Sequence, residues 1–293
     1  MELRNLRALV EVAKCGGFSA AAKTLATTQS TVSKAIQQLE HDCGLQLVER
    51  LGRGIRITDA GELVLRRAEN MLSERENLFS ELDELRGMQR GRLKLGLPLM
   101  ASSVIFANLM AAFRKRYPLI EVDLKEQGGH QLEEDVRKGR IEVGATLVPN
   151  SEDFECRLVR EEPLMAVLPL DHPLSDRSSL RLEELSPCRA ILFEEGFMLN
   201  SIVQAAFRKR RLVLTDVGRS PNADFMLAMV AAGIGVAFLP KVILTARDHG
   251  SVRAVVMEEA DMWWRLALIW RRGRVLSPAA QRWLEMAITP AAG

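Results

Sequence analysis

The sequence predicts an α+β fold of several domains, with short helices first, one long helix next and an α/β region last. Three observations predict it. Apolar residues at helical spacing mark two short helices near the amino end, and residues 62–86 contain neither proline nor glycine. The remainder alternates short β runs with helices. With 293 residues and 47% hydrophobic content, the chain can bury a core in about two domains.

Composition excludes several classes of protein. The formal net charge of +2 is too small to indicate a polyanionic partner by itself. The four cysteines, Cys15, Cys43, Cys156 and Cys188, show no C-x-x-C spacing, which argues against a zinc cluster or a disulfide framework. The uncharged run 225–240 is shorter than the ~20 residues of a membrane span and contains Gly233 and Gly235. We therefore expect a soluble, cytoplasmic protein without metal, cofactor or membrane partner.

Two short helices are predicted near the amino terminus, on either side of the turn ATTQ. Thr28 is a suitable N-cap for the second helix. Two helices joined by so short a turn form a helix-turn-helix, whose second helix enters the major groove of DNA. The apolar positions that define the two helices are Phe18, Ala22, Leu25, Val32, Ile36 and Leu39.

The second helix carries a polar face that suits base edges and phosphates. The same pattern is also typical of a helical face that only meets solvent. The candidate DNA-binding residues on this helix and at its start are Thr28, Gln29, Ser30, Thr31, Ser33, Lys34 and Gln37.

A basic hairpin is predicted to follow the helix pair. Two short alternating strands, around 45–49 and 55–58, bracket a Gly-Arg-Gly turn. A hairpin in this place is a wing, and Arg50, Arg53 and Arg56 would bring positive charge to the phosphate backbone. A basic turn alone is usually a solvated loop. Attached to the helix pair, it favours a winged helix-turn-helix DNA-binding domain over residues 1–60.

The stretch LRNLRALVEVAKCGGFSAAAKTLATTQSTVSKAIQQLEHDCGLQLVERLGRGIRITDAG resembles the amino-terminal module of LysR-type transcriptional regulators nearly end to end. Two positions depart from the family pattern: Ser30 replaces a common proline and Val48 a common phenylalanine. The resemblance implies that the candidate residues of the second helix meet DNA, with Arg53 and its neighbours on the wing. It also implies RNA polymerase as a protein partner.

Residues 61–87 are predicted to form a linker helix with a heptad seam, interrupted once by Arg75. Such a seam predicts pairing with a second copy, which would space two recognition helices for a pseudo-palindromic promoter site in double-stranded DNA. A helix that packs on its own domain has similar periodicity. The resemblance implies the paired arrangement, in a homodimer or a dimer of dimers. The seam residues are Val64, Ala68, Met71, Leu78, Leu82 and Leu85.

Residues 88–293 are predicted to form two similar α/β lobes. The hexapeptide AAFRKR occurs at 111–116 and again at 205–210, each time between two β runs. The LysR resemblance implies a periplasmic-binding-protein-like effector domain. Lobe I would cover about 92–162 plus 268–293 and lobe II about 163–267, with Trp263–Trp270 as the returning crossover strand.

Ligands of open α/β sheets bind at the carboxyl ends of the strands, and several predicted helices begin there. Free N–H groups at helix starts favour a small anion such as a carboxylate. The same residues could simply cap their helices. The candidate effector-binding residues are Ser102, Ser103, Gly129, His130, Phe197, Ser220 and Asn222.

We therefore predict a sequence-specific transcriptional regulator, controlled by a small, anionic effector bound between the lobes. An enzyme is disfavoured, because no catalytic motif is present and the histidines are scattered. An architectural DNA-binding protein with a degenerate cleft is a further alternative. A redox sensor built on Cys156 and Cys188 is another alternative, although we expect both to be inert core thiols.

Overall fold

A computed structural model describes residues 1–51, 54–85, 90–149, 151–246 and 250–288. The chain forms two compact units. The amino-terminal unit is Met1–Gly91 with Gly273–Gln281, and the carboxy-terminal unit is Arg92–Arg272 with Arg282–Gly293. Within the described ranges, no helix combines the length and apolar content that crossing a bilayer requires.

The amino-terminal unit contains a helix-turn-helix followed by a two-stranded hairpin and a long helix. The hairpin strands pair antiparallel, and each lies within three residues of its predicted position. These elements are α1 (Leu3–Cys15), α2 (Phe18–Thr24), α3 (Gln29–Cys43), β1 (Val48–Leu51), β2 (Gly54–Ile57) and α4 (Asp59–Leu85).

The limits of α3 follow from local sequence. The Thr28 hydroxyl accepts the backbone N–H of Thr31 at 3.2 Å, so the predicted N-cap is confirmed. At the other end Gly44 has φ 66°, the left-handed conformation that closes many helices and that glycine adopts without strain. The apolar faces of α1, α2 and α3 meet in one core around Leu9 and Leu39.

Helix α4 uses one side of its first turns for this same core. Ala68 is fully buried in it, and Val64 packs against it. The prediction that Ala68 belongs to an intermolecular seam is therefore wrong, because its methyl group already contacts its own domain. Val64 also contributes mainly to the intramolecular packing. The other predicted seam residues, Met71, Leu78 and Leu82, are exposed, and the Leu85 side chain lies outside the described part.

A different side of α4 holds the segment Gly273–Gln281. The Asn70 side-chain amide donates to the Gly273 carbonyl at 3.3 Å, and buried Asn77 donates to the Leu276 carbonyl at 3.5 Å. Two asparagines seven residues apart thus bind the backbone of one distant segment.

The carboxy-terminal unit is built on an eight-stranded sheet with the order β4-β3-β5-β12-β6-β11-β7, in which β10 also pairs with β6. A separate parallel pair joins β8 to β9. The strands are β3 (Gly91–Pro98), β4 (Ile120–Gln127), β5 (Val143–Leu147), β6 (Phe154–Pro169), β7 (Ser179–Leu180), β8 (Cys188–Leu192), β9 (Leu214–Arg219), β10 (Ala237–Pro240), β11 (Val252–Met257) and β12 (Trp263–Arg271).

Among the described residues, six α-helices follow the linker helix α4. The first, α5, is preceded by one π-helical turn, Ser102–Phe106, and a short 3₁₀ helix covers Leu182–Leu185. The helices are α5 (Ala107–Arg116), α6 (Gly129–Arg137), α7 (Met198–Lys209), α8 (Ala223–Ala231), α9 (Lys241–Thr245) and α10 (Pro278–Ile288).

The two copies of AAFRKR occupy equivalent places, as their surroundings predict. The first ends α5 between β3 and β4, and the second ends α7 between β8 and β9. Both copies continue into a second helix, α6 or α8, and then into a strand, β5 or β10. The predicted order of elements is therefore present in both halves of the unit.

Strand β6 runs through both lobes. Its first part, to Pro163, pairs with β12, whereas Leu164–Pro169 pairs with β10 and β11. We define lobe I as β3, β4, β5, β12 and the first part of β6 with α5 and α6, and lobe II as the elements from Leu164 to Met262. The chain has returned to lobe I by Trp263 rather than at residue 268, because β12 pairs with β6 along its whole length.

Asp135 links α6 to neighbouring polar groups of lobe I. Its buried carboxylate accepts hydrogen bonds from Arg140 at 2.7 Å, Gln127 at 2.8 Å and Gln131 at 3.0 Å. Burial raises the pKa of Asp135, but these hydrogen bonds outweigh burial and lower the pKa to about 2.

Because of this network, the folding stability of the protein should decrease when the pH becomes strongly acidic. Because the folded-state pKa of Asp135 lies below its ordinary value of 3.8, its contribution is present above about pH 4 and is lost as pH falls through 2. We expect about 2 kcal/mol from this group. Urea unfolding of Asp135→Asn between pH 6 and 2 should show lower stability at pH 6 and a flatter decline towards pH 2. An unchanged slope would contradict the assignment.

Candidate DNA interface and effector cavity

The polar face of α3 is free of the core, as the helix-turn-helix interpretation requires. Six of its seven candidate residues are exposed, and Ser33 is half-buried. The opposite side of α3 carries Val32, Ile36 and Leu39, which are buried in the domain. Local hydrogen bonds order the start of this face, because the Thr28 hydroxyl lies 2.9 Å from the Ser30 hydroxyl and 2.8 Å from that of Thr31.

Two contacts between elements hold the first turns of α3. The Ser19 hydroxyl, on α2, donates to the Gln29 side-chain carbonyl at 3.0 Å. From the wing, Arg50 donates to the Ser33 hydroxyl at 2.7 Å, while its guanidinium stacks 4.7 Å from the centre of the Phe18 ring. Arg50 thus connects the wing to both helices of the motif.

The basic residues of the wing differ in how free their charges are. Arg56 is paired with Glu49 on the facing strand, with its Nε donating at 2.9 Å, so part of the predicted positive charge is already offset. Arg53 lies outside the described residues.

Reasoning from the sequence missed two features of this surface. Glu40, on α3, accepts the backbone N–H groups of Leu47 and Val48 at 2.9 and 3.1 Å, and so fixes where the wing begins. A groove of about 880 Å³ also lies along α3, with Arg4, Arg7 and Lys34 among its lining residues. Basic residues in the first turns of α1 could have indicated it.

A second candidate site lies between the lobes of the carboxy-terminal unit. It is a small cavity of about 40 Å³ where β3, β4 and β5 end and α7 begins. All its lining residues are uncharged. They are Pro98, Leu99, Met100, Ala101, Gln127, Gly128, Gly129, Thr146, Leu147, Phe197, Met198, Leu199, Trp264 and Leu266.

Two helices begin at this cavity without a side-chain cap. Gly128 precedes α6 and Phe197 precedes α7, and neither helix has a capping hydrogen bond from the residue before it. Their first backbone N–H groups and positive dipole ends are therefore directed to the region between the lobes. Phe197 is held by stacking on buried Phe193, with ring centres 4.9 Å apart.

Gly129 and Phe197 line the cavity, but five of the seven predicted effector residues do not. Asn222 caps α8, with its side-chain oxygen accepting the N–H groups of Asp224 and Phe225. Ser220 is buried in the same turn and accepts the Asn222 N–H at 3.1 Å. For these two the structure favours the capping alternative. The remaining residues outside the lining are Ser102, Ser103 and His130, so the structure does not bring them to this cavity.

The cavity residues that were not predicted include a pair that forms a hydrogen bond across it. The Thr146 hydroxyl, in lobe I, donates to the Met198 sulfur, in lobe II, at 2.9 Å. Thr146 is only 1% exposed, and it is a polar residue at the end of an otherwise apolar strand. That exception to the apolar pattern was the available signal.

The cysteines differ from the expectation of two inert core thiols. Cys188 is buried, and burial raises the pKa of its thiol to about 12, which suppresses the reactive thiolate. Cys156 is exposed, so its assignment to the core is wrong. The structure describes all four cysteines as free thiols.

Comparison with known proteins adds independent information. Residues 3–62 match the model of the bacterial regulatory helix-turn-helix protein, lysR family, and residues 86–290 match that of the LysR substrate binding domain. The uncharacterized HTH-type transcriptional regulator YwbI of Bacillus subtilis (strain 168) is 33% identical over 291 residues, covering 97% of this chain and 95% of YwbI.

Solved structures show the same fold. A full-length OxyR variant from Pseudomonas aeruginosa has a TM-score of 0.73 at 22% identity, covering 98% of this chain and 93% of that one. Full-length CbnR complexed with its target DNA has a TM-score of 0.56 at 24% identity, with 98% of both chains covered. The matched models and relatives are regulators, so the chain is not an enzyme. The two matched models and the YwbI similarity place it in the LysR family of DNA-binding transcriptional regulators, with an amino-terminal helix-turn-helix and a carboxy-terminal effector-binding domain.

Proposed function

We propose that two copies of the chain bind a pseudo-palindromic promoter site through α3, and that a small anionic effector in the inter-lobe cavity changes this binding. The observation that carries the DNA-binding part is the exposed polar face of α3, which is fixed at its start by Thr28 and Arg50. Among the described residues, Gln29, Lys34 and Gln37 are exposed on α3, and Arg50 and Arg56 belong to the strands of the wing, which supports the proposed contacts.

The arrangement of α3 and the wing supports a division of labour between base and phosphate contacts. Gln29 offers an amide at the first turn of α3, where recognition helices contact base edges. Arg50 and Lys34 are exposed cations that suit the phosphate backbone. Because Arg50 also binds Ser33, an approaching phosphate would meet a side chain that is already oriented.

Pairing through α4 rests on an exposed apolar stripe. Met71, Leu78 and Leu82 are 45%, 53% and 38% exposed, and their spacing of seven and four residues brings them to one side of the helix. Covering such exposed apolar side chains with a second copy removes them from water and so stabilises the pair. A pair of this kind would space two recognition helices about one turn of DNA apart, or a multiple of it.

The anionic character of the effector is supported by the uncapped starts of α6 and α7 at the cavity. A ligand could change DNA binding only if it bound the two arrangements of the protein with different affinity. RNA polymerase as a partner and the cytoplasm as the place of action are consistent with regulation of transcription.

Two substitutions test the DNA-binding surface. Gln29→Ala should relax base preference by about 1–3 kcal/mol at one position of the site. Arg53→Ala should instead weaken binding to all sequences alike and lower the salt slope by roughly 0.9. Gel-shift titrations against single-base variants of the promoter site, at several salt concentrations, measure both effects. Indistinguishable profiles for the two variants would refute the proposed roles.

A further inference from the structure

The Met198 side chain reaches from lobe II into lobe I. It begins α7, yet its sulfur accepts a hydrogen bond from Thr146, at the end of β5, at 2.9 Å. It also rests directly on Gly129, because a methyl group at that glycine would lie 2.7 Å from the sulfur. The space above Gly129 and Thr146 is therefore already taken by a side chain of the protein.

This contact leaves little room for a ligand. The remaining cavity is about 40 Å³, whereas ligand pockets commonly measure about 300–1,000 Å³. Gly128 and Gly196 also approach closely across the cleft, since a methyl group at Gly128 would lie 3.1 Å from the Gly196 carbonyl oxygen. Any effector of this site must therefore move Met198, and it must separate the lobes at this point.

The Thr146 hydroxyl has an unusually poor partner. A thioether sulfur is a weak acceptor, and a buried hydroxyl gains more from an oxygen acceptor, above all an ionised one. A carboxylate oxygen in place of the Met198 sulfur would accept a hydrogen bond from the Thr146 hydroxyl. It would also lie near the uncapped first turns of α6 and α7.

We propose that Met198 is a built-in occupant of the effector site, and that the effector is a small monocarboxylate with an apolar body that displaces Met198 from Thr146. This inference rests on the proposed function, which assigns the effector to this cavity. We assign an apolar body to the effector because the lining also contains Leu99, Met100, Trp264 and Leu266. These side chains carry no charge that could bind a second ionised group of the ligand.

Removal of the resident side chain should improve binding. Calorimetric titration of the full chain with phenylacetate and with 4-methylpentanoate should give Kd values roughly tenfold lower for Met198→Ala than for the wild type, because no side chain then has to leave. Met100→Ala is the matched control. It enlarges the same cavity by the same atoms but leaves the Met198–Thr146 contact in place, so it should bind no tighter than the wild type.

Removal of the hydroxyl should have the opposite effect. Thr146→Val should bind both acids roughly tenfold more weakly, because it lacks the donor to the carboxylate, whereas Thr146→Ser should bind within about threefold of the wild type. Phenylacetamide and 4-methylpentanamide should bind more weakly than the acids, since their oxygen is uncharged. Thermal unfolding of each variant separates these effects from loss of folding.

Equal or weaker binding by Met198→Ala would overturn the proposal, and so would an equal gain in Met100→Ala. If none of the four probes bound any variant, the assigned class of effector would be wrong. A different result would contradict the proposed function: the acids would bind with the expected dependence on Met198, but the promoter footprint would not change. If the acids changed the footprint equally in the wild type and in Met198→Ala, the inference about Met198 would be wrong, whereas the proposed function would stand.

Discussion

Gly61→Ala is expected to abolish DNA binding, although Gly61 itself does not lie on the DNA-binding face. A methyl group at this position of α4 would lie 2.1 Å from the Leu47 carbonyl oxygen and 2.7 Å from the Ile57 side chain. The backbone at Leu47 cannot move without a large cost in stability, because the Leu47 N–H donates to Glu40 and the Leu47 side chain is fully buried. We expect the free energy of unfolding to fall by roughly 3 kcal/mol or more, since a backbone atom must move within a packed core.

Thermal unfolding and gel-shift titration measure this effect, and Gly17→Ala provides its control. Gly17 lies in the same unit with no atom within 4 Å of an added methyl group, and its φ of 175° is ordinary extended backbone. Because Gly17 is the N-cap of α2, alanine should cost at most about 1 kcal/mol there. Similar losses for the two variants would contradict the close approach at Gly61.

The double variant Leu78→Glu with Leu82→Glu is expected to dissociate the proposed pair. Each leucine contributes about 1.5 kcal/mol if it becomes buried, so two on each of two chains contribute about 6 kcal/mol. That loss raises the dissociation constant on the order of 10,000-fold. Analytical ultracentrifugation should then show monomers, and promoter footprints should shrink from two half-sites to one.

Glu76→Lys is the matched control for the stripe. Glu76 is exposed on α4 but lies on a different side of the helix from Met71, Leu78 and Leu82, so a change of charge there should leave association unchanged. If the double variant still formed dimers at the wild-type concentration, pairing through this stripe would be refuted. Unfolding of the amino-terminal unit must be measured in parallel, because α4 also packs on that unit.

The DNA-binding half was largely predictable because its signals are local. The apolar spacing at Val32, Ile36 and Leu39 fixes which side of α3 is buried, and Thr28 fixes where the helix begins. Both depend only on the geometry of a helix. The repeated AAFRKR likewise predicted two equivalent helices, α5 and α7, since equal neighbours in sequence formed equal elements.

The effector cavity was predictable only in part. The candidates Gly129 and Phe197 do lie at helix starts, but a residue that caps a helix and one that binds a ligand look alike in sequence. Asn222 proved to be a cap, whereas Gly128 and Phe197 leave their helices uncapped. The same ambiguity affected α4, where Ala68 fits both a seam between chains and a core within one chain.

The order of the elements, the family and the polar face of α3 follow from local sequence patterns, because each depends on residues close together in the chain. The folded chain was needed to learn which helix starts meet between the lobes, and that Met198 lies against Thr146 there. A contact between residues 52 positions apart depends on how β5 and α7 pack, and no local pattern encodes that packing.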